Sequence, residues 1–216
     1  EKVLLTKIRE LNNDVKIFNL IITITTLVTF SQISSAFEVI KGEITEISGP
    51  DDLNLDPANT ILAVDVFGDT DRAINDVKFY TDRSGLGELV TGEGTVEKDG
   101  VIITTTAPNQ IDNWAGPQNF TGQDADSASN LSEVMRDIRW QGAPNPLTVD
   151  ISGLTGGSTY NLKLLFNEGA DRDRGWDIAS SGELIVDNIT SEGGDGFWTS
   201  ENSFMYSVDL EADGDG

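Results

Sequence analysis

The residues with the greatest chemical potential are concentrated in one acidic loop, residues 167–177 (NEGADRDRGWD). Its candidate metal ligands are Glu168, Asp171, Asp173 and Asp177. Carboxylates from alternate positions of one loop can converge on a hard cation, so this set indicates calcium as the one candidate cofactor. Arg172 and Arg174 alternate with the aspartates, and local ion pairs are the competing interpretation, which the alternation of charge favours.

Two polar loops, 110–120 and 193–200, each carry a tryptophan. An apolar sugar face packs on an aromatic ring, while neighbouring carboxamides or carboxylates bind the hydroxyls. The candidate carbohydrate-binding residues are therefore Asn113, Trp114, Gln118, Asp195 and Trp198. The alternative is that both rings fold back over the ends of the core, since side chains this large are usually mostly buried.

The absence of cysteine and histidine restricts the catalytic chemistry. It excludes Ser-His-Asp and Cys-His nucleophile systems and any thiolate or imidazole metal site. A carboxylate pair for glycoside hydrolysis is compatible with the composition, but nothing singles out an acid and a nucleophile among 37 acidic residues. We therefore predict no catalytic residue and a protein that is not an enzyme.

Charge and size narrow the possible partners. The 216 residues carry a formal net charge of -23, and 38% of them are hydrophobic. Such a surface repels phosphates and anionic lipid headgroups, so we expect no nucleic-acid partner and no anionic membrane partner. The length and the hydrophobic content suit one all-β domain of ordinary size.

The first 36 residues are typical of a secretory signal. Basic residues precede the apolar run Ile17–Phe30, and small residues up to Ala36 predict cleavage after that position. The run is shorter than the roughly 17–25 residues of a membrane-spanning helix. A signal anchor and a buried strand or helix are the alternatives. With the leader removed, we expect no membrane span and a secreted or cell-surface bacterial protein.

Residues 37–216 are predicted to form a single all-β domain, a jelly-roll-like β-sandwich with one short helix. The period-2 pattern of Tyr160–Phe166 predicts a half-buried strand, and Lys98-Asp99-Gly100 predicts a turn that leads into a β-branched run. Apolar residues at helical spacing predict the helix over Asn130–Trp140. Because a sandwich rarely ends on an unpaired turn, we expect the native chain to continue beyond Gly216.

The region from Tyr160 to Ile189 resembles the malectin-like and galactose-binding-like β-sandwich modules of secreted bacterial proteins. The shared pattern is a Y-x-L-x-L-x-F strand, an acidic loop, R-x-F/W-D-I, and then G-x-L-x-V-x-D. Its residues in this chain are Tyr160, Leu162, Leu164, Phe166, Arg174, Trp176, Asp177, Ile178, Gly182, Leu184, Val186 and Asp187, with Asp187 directly after Val186 where the shared pattern has one residue between them. The resemblance implies a sandwich fold and carbohydrate binding through loop aromatics and polar residues.

Together these patterns favour a non-catalytic extracellular module that binds carbohydrate or a cell-surface glycan. Two alternatives stay open. One is a structural or adhesive surface domain without a small ligand, with calcium as a possible stabilising ion. The other is a fragment of a glycoside hydrolase, which would need two carboxylates roughly 5–10 Å apart across a cleft.

Overall fold

The computed structural model describes residues 3–5, 15–18, 21–26, 42–83, 92–111, 119–142, 144–167, 175–180, 183–190 and 203–213. Within these ranges the chain is mostly β, as predicted, with one α-helix, α1 (Ala125–Val134), and one 3-10 helix (Pro50–Leu53). The strands, in chain order, are β1 (Val3–Leu5), β2 (Val15–Phe18), β3 (Ile21–Thr26), β4 (Glu43–Ile47), β5 (Thr60–Asp65), β6 (Arg72–Ile74), β7 (Val77–Thr81), β8 (Gly92–Lys98), β9 (Val101–Ala107), β10 (Asn109–Ile111), β11 (Ile138–Gly142), β12 (Thr148–Ser152), β13 (Thr159–Asn167), β14 (Gly175–Ser180), β15 (Glu183–Thr190) and β16 (Ser203–Glu211).

The strands form a seven-stranded sheet, a four-stranded sheet, a three-stranded sheet and a two-stranded hairpin. Their strand orders are β4-β16-β13-β3-β5-β7-β6, β1-β12-β9-β8, β10-β11-β2 and β14-β15. Among the described pairs, β5 and β7 are parallel and the others are antiparallel. The turn between β8 and β9 is confirmed as predicted: Asp99 and Gly100 both have positive φ, the geometry of a tight two-residue hairpin.

Two hydrophobic cores lie on opposite faces of the seven-stranded sheet. The first is shared with the four-stranded sheet and includes Leu62, Val64, Ile103, Val149, Leu162, Leu164, Phe204 and Tyr206. The second lies against the helices and includes Leu53, Ala63, Phe79, Leu131, Val134, Met135, Leu165 and Met205. Neighbouring residues of β5, β13 and β16 alternate between these two cores, as the two-residue period of a strand requires.

The prediction that Tyr160–Phe166 is half-buried is wrong, because β13 is covered on both faces. Leu162 and Leu164 face the first core, while Lys163 and Leu165 on the other face are only 7% and 1% exposed. Lys163 donates from Nζ to the backbone carbonyl of Leu53 at 2.7 Å. Burial lowers the pKa of this lysine. A buried cation of this kind is tolerated because it is hydrogen-bonded.

The predicted helix is also displaced. The sequence placed it at Asn130–Trp140, whereas α1 spans Ala125–Val134 and the segment from Ile138 onward is strand β11. Asp124 starts the helix, because its carboxylate accepts hydrogen bonds from the backbone N–H groups of Asp126 and Ser127. Helical spacing identified the buried face correctly and misplaced both ends.

The three N-terminal strands are distributed over three sheets: β1 pairs with β12, β2 with β11, and β3 with both β13 and β5. Strand β3 lies inside the apolar run that predicts a secretory signal. The expected cleavage position, Ala36, lies outside the described residues, so the leader stays a prediction. Among the described residues, no helix has the length and apolar character needed to cross a bilayer.

Candidate functional site

Most of the site residues expected from the sequence lie outside the described ranges. This applies to Asn113, Trp114, Gln118, Asp195 and Trp198 and to Glu168, Asp171 and Asp173. Asp177 is described and is half-buried on β14. No group of three or more acidic side chains suited to a metal ion occurs within the described ranges. The calcium site and the sugar contacts therefore remain predictions.

An open groove of about 480 Å³ lies between α1 and the segment 119–122. Its lining residues are Asn119, Phe120, Thr121, Gly122, Ala125, Ala128, Ser129, Ser132 and Glu133. The five helical residues follow the spacing that brings side chains onto one stripe of a helix. Four of them are alanine or serine, and their small side chains leave the space that the groove occupies.

Contacts with the 3-10 helix fix the non-helical wall of the groove. The backbone N–H of Thr121 donates to the carbonyl of Ser48 at 3.1 Å, and that of Gln123 donates to Asp51 Oδ2 at 3.2 Å. Gly49 packs so closely against Thr121 that a Cβ at Gly49 would collide with the Thr121 carbonyl. This wall is therefore held in place by contacts at Thr121 and Gln123, directly after Phe120.

The helical wall is fixed at its N-terminal end by Asp124. Its Oδ2 atom accepts a 2.6 Å hydrogen bond from the Ser127 hydroxyl, in addition to the backbone bonds that cap the helix. The Ser127 hydroxyl bond, followed by the Asp126 backbone bond, lowers the pKa of the Asp124 carboxyl. Negative charge at this end also suits the helix dipole.

The groove presents one aromatic ring among small polar side chains. Phe120 is half-buried and packs partly on the second core, which leaves part of its ring at the groove. Asn119, Thr121 and Ser129 are exposed and uncharged. Glu133 is the one carboxylate in the lining, and its Oε1 atom lies 3.0 Å from Arg136 Nη1. The lining therefore lacks the carboxylate pair that glycoside hydrolysis requires.

A second cluster, which the sequence did not reveal, is a buried ion pair between Asp82 and Arg139. The distance from Arg139 Nε to Asp82 Oδ2 is 2.9 Å, and both side chains are 1% exposed. Asp82 also accepts hydrogen bonds from the Thr105 hydroxyl, at 2.8 Å, and from the backbone N–H of Phe67. Phe67 has φ of 66°, a conformation that is uncommon for a bulky residue. Asp82, at the end of β7, therefore contacts β9 through Thr105, β11 through Arg139 and the turn after β5 through Phe67.

Asp65, at the end of β5, is the least compensated group near this ion pair. It is fully buried, and neither carboxyl oxygen makes a hydrogen bond. Burial raises the pKa of Asp65 well above its ordinary value, and the negative charges of Asp137 and Asp82 raise it further. The positive charge of Arg72 lowers the pKa of Asp65, but its effect is smaller than these three. Folding therefore favours the protonated form of Asp65 relative to the unfolded chain.

Comparison of the chain with protein-family models, curated proteins and solved structures finds no match.

Proposed function

We propose that the chain is a non-catalytic extracellular module that binds neutral carbohydrate in the groove between α1 and residues 119–122. The observation that carries the proposal is the lining, in which one aromatic ring lies among hydroxyl and carboxamide groups, with Glu133 as the one carboxylate. A pyranose offers a matching combination, an apolar face for Phe120 and hydroxyls for Asn119, Thr121 and Ser129.

The size of the groove supports a small-molecule ligand. Its volume of about 480 Å³ falls within the roughly 300–1,000 Å³ of typical ligand pockets. An open groove of this volume has room for about one or two sugar rings. The rest of a bound glycan is then free to extend from either end of the groove. The net charge of -23 favours a neutral glycan over an anionic one.

The position of the groove in the sequence also supports the proposal. Asn119 directly follows Gln118, which is one of the predicted carbohydrate contacts, and the tryptophan loop with Asn113 and Trp114 leads into it. The groove and the predicted aromatic platform are therefore adjacent along the chain. In this proposal, Trp114 remains a predicted sugar contact that lies six residues before Phe120 in the sequence.

The architecture we propose is a jelly-roll-like β-sandwich, exported through the predicted N-terminal leader to the bacterial exterior. The first core, which the seven-stranded and four-stranded sheets share, is what supports two facing sheets. The resemblance of residues 160–189 to malectin-like modules supports the same architecture. Calcium, if it binds to the acidic loop of Asp171 and Asp173, has a stabilising role separate from the groove.

A glycan array tests the proposal when it is run with calcium and again with chelator. We expect neutral glycans to bind under both conditions, because the described lining contains no metal cluster. Phe120→Ala and Asn119→Ala should each weaken binding about tenfold or more, since each removes a principal contact. The control is Leu184→Ala, which truncates an exposed apolar side chain on β15 that does not line the groove.

The outcomes separate the alternatives. Binding that requires calcium would shift the site to the acidic loop. No binding by a folded wild-type chain would contradict the proposal and favour the structural-domain alternative. Circular dichroism of each variant checks the fold, and Asn119→Ala is informative even if Phe120→Ala is destabilised, because Asn119 is exposed.

A further inference from the structure

Strand β3 occupies a position that a removable leader would leave empty. It lies between β13 and β5 in the seven-stranded sheet and is antiparallel to both. Its register on β13 runs from Thr26 opposite Tyr160 to Ile22 opposite Leu164. On the other side it runs from Ile21 opposite Asp65 to Thr25 opposite Thr60. The sheet is therefore continuous only while this segment is present.

The two walls of this position are built from core residues. Positions 22 and 24 of β3 lie opposite Leu164 and Leu162 on one side and opposite Val64 and Leu62 on the other. These four leucine and valine residues are at most 5% exposed and belong to the first core. Position 23 lies opposite Lys163 and Ala63, on the face of the second core. An occupant must therefore be extended and apolar at two alternate positions.

Removal of β3 would leave two unpaired strand edges in the middle of the fold. The sheet would divide into β4-β16-β13 and β5-β7-β6, each with a row of free backbone donors and acceptors. Such edges readily accept another strand, whose backbone hydrogen bonds supply affinity and whose alternate side chains supply specificity. The four apolar residues of the two walls would also gain contact with water, which adds to the driving force for filling the position.

We propose that the position between β13 and β5 is a strand-acceptor site. Ile21–Thr26 fills it in the uncleaved chain, and after leader cleavage it binds an extended segment of another polypeptide with aliphatic residues at two alternate positions. Basic residues flanking that segment would be favoured, because the chain carries a net charge of -23. This site is separate from the groove beside α1 and does not depend on carbohydrate binding, but it rests on the proposed cleavage of the leader.

The test uses the full chain with a specific protease site inserted after Ala36, so that folding precedes cleavage. After cleavage the protein is separated from residues 1–36 in urea and refolded, because those residues would otherwise still fill the site. It is then mixed with a fluorescent peptide of residues 19–28, and uptake is followed by anisotropy and native mass spectrometry. The matched control peptide carries Ile22→Asp and Ile24→Asp, and a second peptide carries Thr23→Ser. We expect the wild-type and Thr23→Ser peptides to bind and the aspartate peptide to bind at least about a hundredfold more weakly, because its two charges would pair opposite four buried apolar residues.

Each outcome decides the proposal. Uptake that requires apolar residues at positions 22 and 24 supports a strand-acceptor site. If the cleaved chain loses its fold and the wild-type peptide restores it while the aspartate peptide does not, that result supports the site equally. Equal uptake of both peptides, or a cleaved chain that neither binds nor is restored by the wild-type peptide, would overturn it.

Discussion

Replacing Arg139 with methionine tests how far the buried ion pair stabilises the fold. The substitution keeps most of the length of the side chain and removes the guanidinium that lies 2.9 Å from Asp82. Asp82 would remain buried, with only the Thr105 hydroxyl and the Phe67 backbone N–H to stabilise its charge. Breaking one side of a buried pair costs about 3–5 kcal/mol, and the two remaining donors favour the lower end, about 3 kcal/mol.

Urea unfolding measures this loss. With a slope of about 1–3 kcal/mol per molar urea, a loss of about 3 kcal/mol lowers the midpoint by about 1–3 M. The matched control is Lys78→Met, which breaks the pair between Lys78 and Asp71. That pair has a similar distance of 2.8 Å, but its side chains are 53% and 38% exposed. Because solvent screens exposed pairs, the control should shift the midpoint far less.

A double-mutant cycle completes the measurement. Asp82→Asn combined with Arg139→Met should cost clearly less than the sum of the single substitutions, because the second change no longer leaves a buried charge unpaired. Two results would contradict a stabilising role for the Asp82–Arg139 pair. One is a midpoint shift for Arg139→Met no larger than that for Lys78→Met. The other is a double mutant whose loss in free energy of unfolding equals the sum of the two single losses.

Two further predictions concern the same region. Gly94→Ala should lower the free energy of unfolding by about 1–3 kcal/mol, because a Cβ at Gly94 would collide with the Asp82 carboxylate and the Arg139 guanidinium. Urea unfolding measures this loss. An unchanged midpoint would contradict the prediction and show that the ion pair moves aside freely. Asp65 should make the protein less stable as pH rises, because its pKa is raised in the folded state. Its stabilising contribution is complete below the ordinary carboxyl pKa and is lost as pH rises through the raised folded pKa. Unfolding followed from pH 4 to pH 9 should show this loss in the wild type and a flatter profile in Asp65→Asn, and parallel profiles would contradict the assignment.

Some strands were predictable from a local pattern, whereas β3 lies in the run that predicts a leader and β11 begins inside the predicted helix. Alternation in Tyr160–Phe166 locates β13, and the Asp99-Gly100 turn locates the hairpin of β8 and β9. Burial of both faces of β13 was not predictable, since it depends on the helix and the 3-10 helix packing over the sheet. Lys163 shows the reason. A lysine in an alternating strand pattern indicates a solvent-exposed face. In the fold, Lys163 is buried and its ammonium donates hydrogen bonds to the backbone carbonyls of Leu53 and Asn54.

The helix illustrates a different limit. Leu131, Val134 and Met135 do form a buried face, but Ile138 pairs with Ile111 in the three-stranded sheet. Helical spacing alone cannot separate a residue of the last turn from the start of the next strand. The capping residue Asp124 was available in the sequence and would have given the correct start.

The candidate sites were less predictable than the fold because they combine distant segments. Asp82 and Arg139 are 57 residues apart, so their pairing follows from the arrangement of strands and from no local motif. The groove depends on small residues of α1 that face Phe120, and such residues have no distinctive pattern. The sequence indicated aromatic and polar loop residues as sugar contacts, and Asn119 lies directly beside that predicted set.

The most direct test of carbohydrate binding in the groove is backbone amide chemical-shift mapping during titration with a neutral saccharide. The proposal predicts that the largest shifts fall within residues 119–133, at Phe120 and Ser129 above all, with much smaller shifts in the hairpin of β14 and β15. Saturable shifts centred elsewhere in the chain, or none at millimolar saccharide, would contradict it.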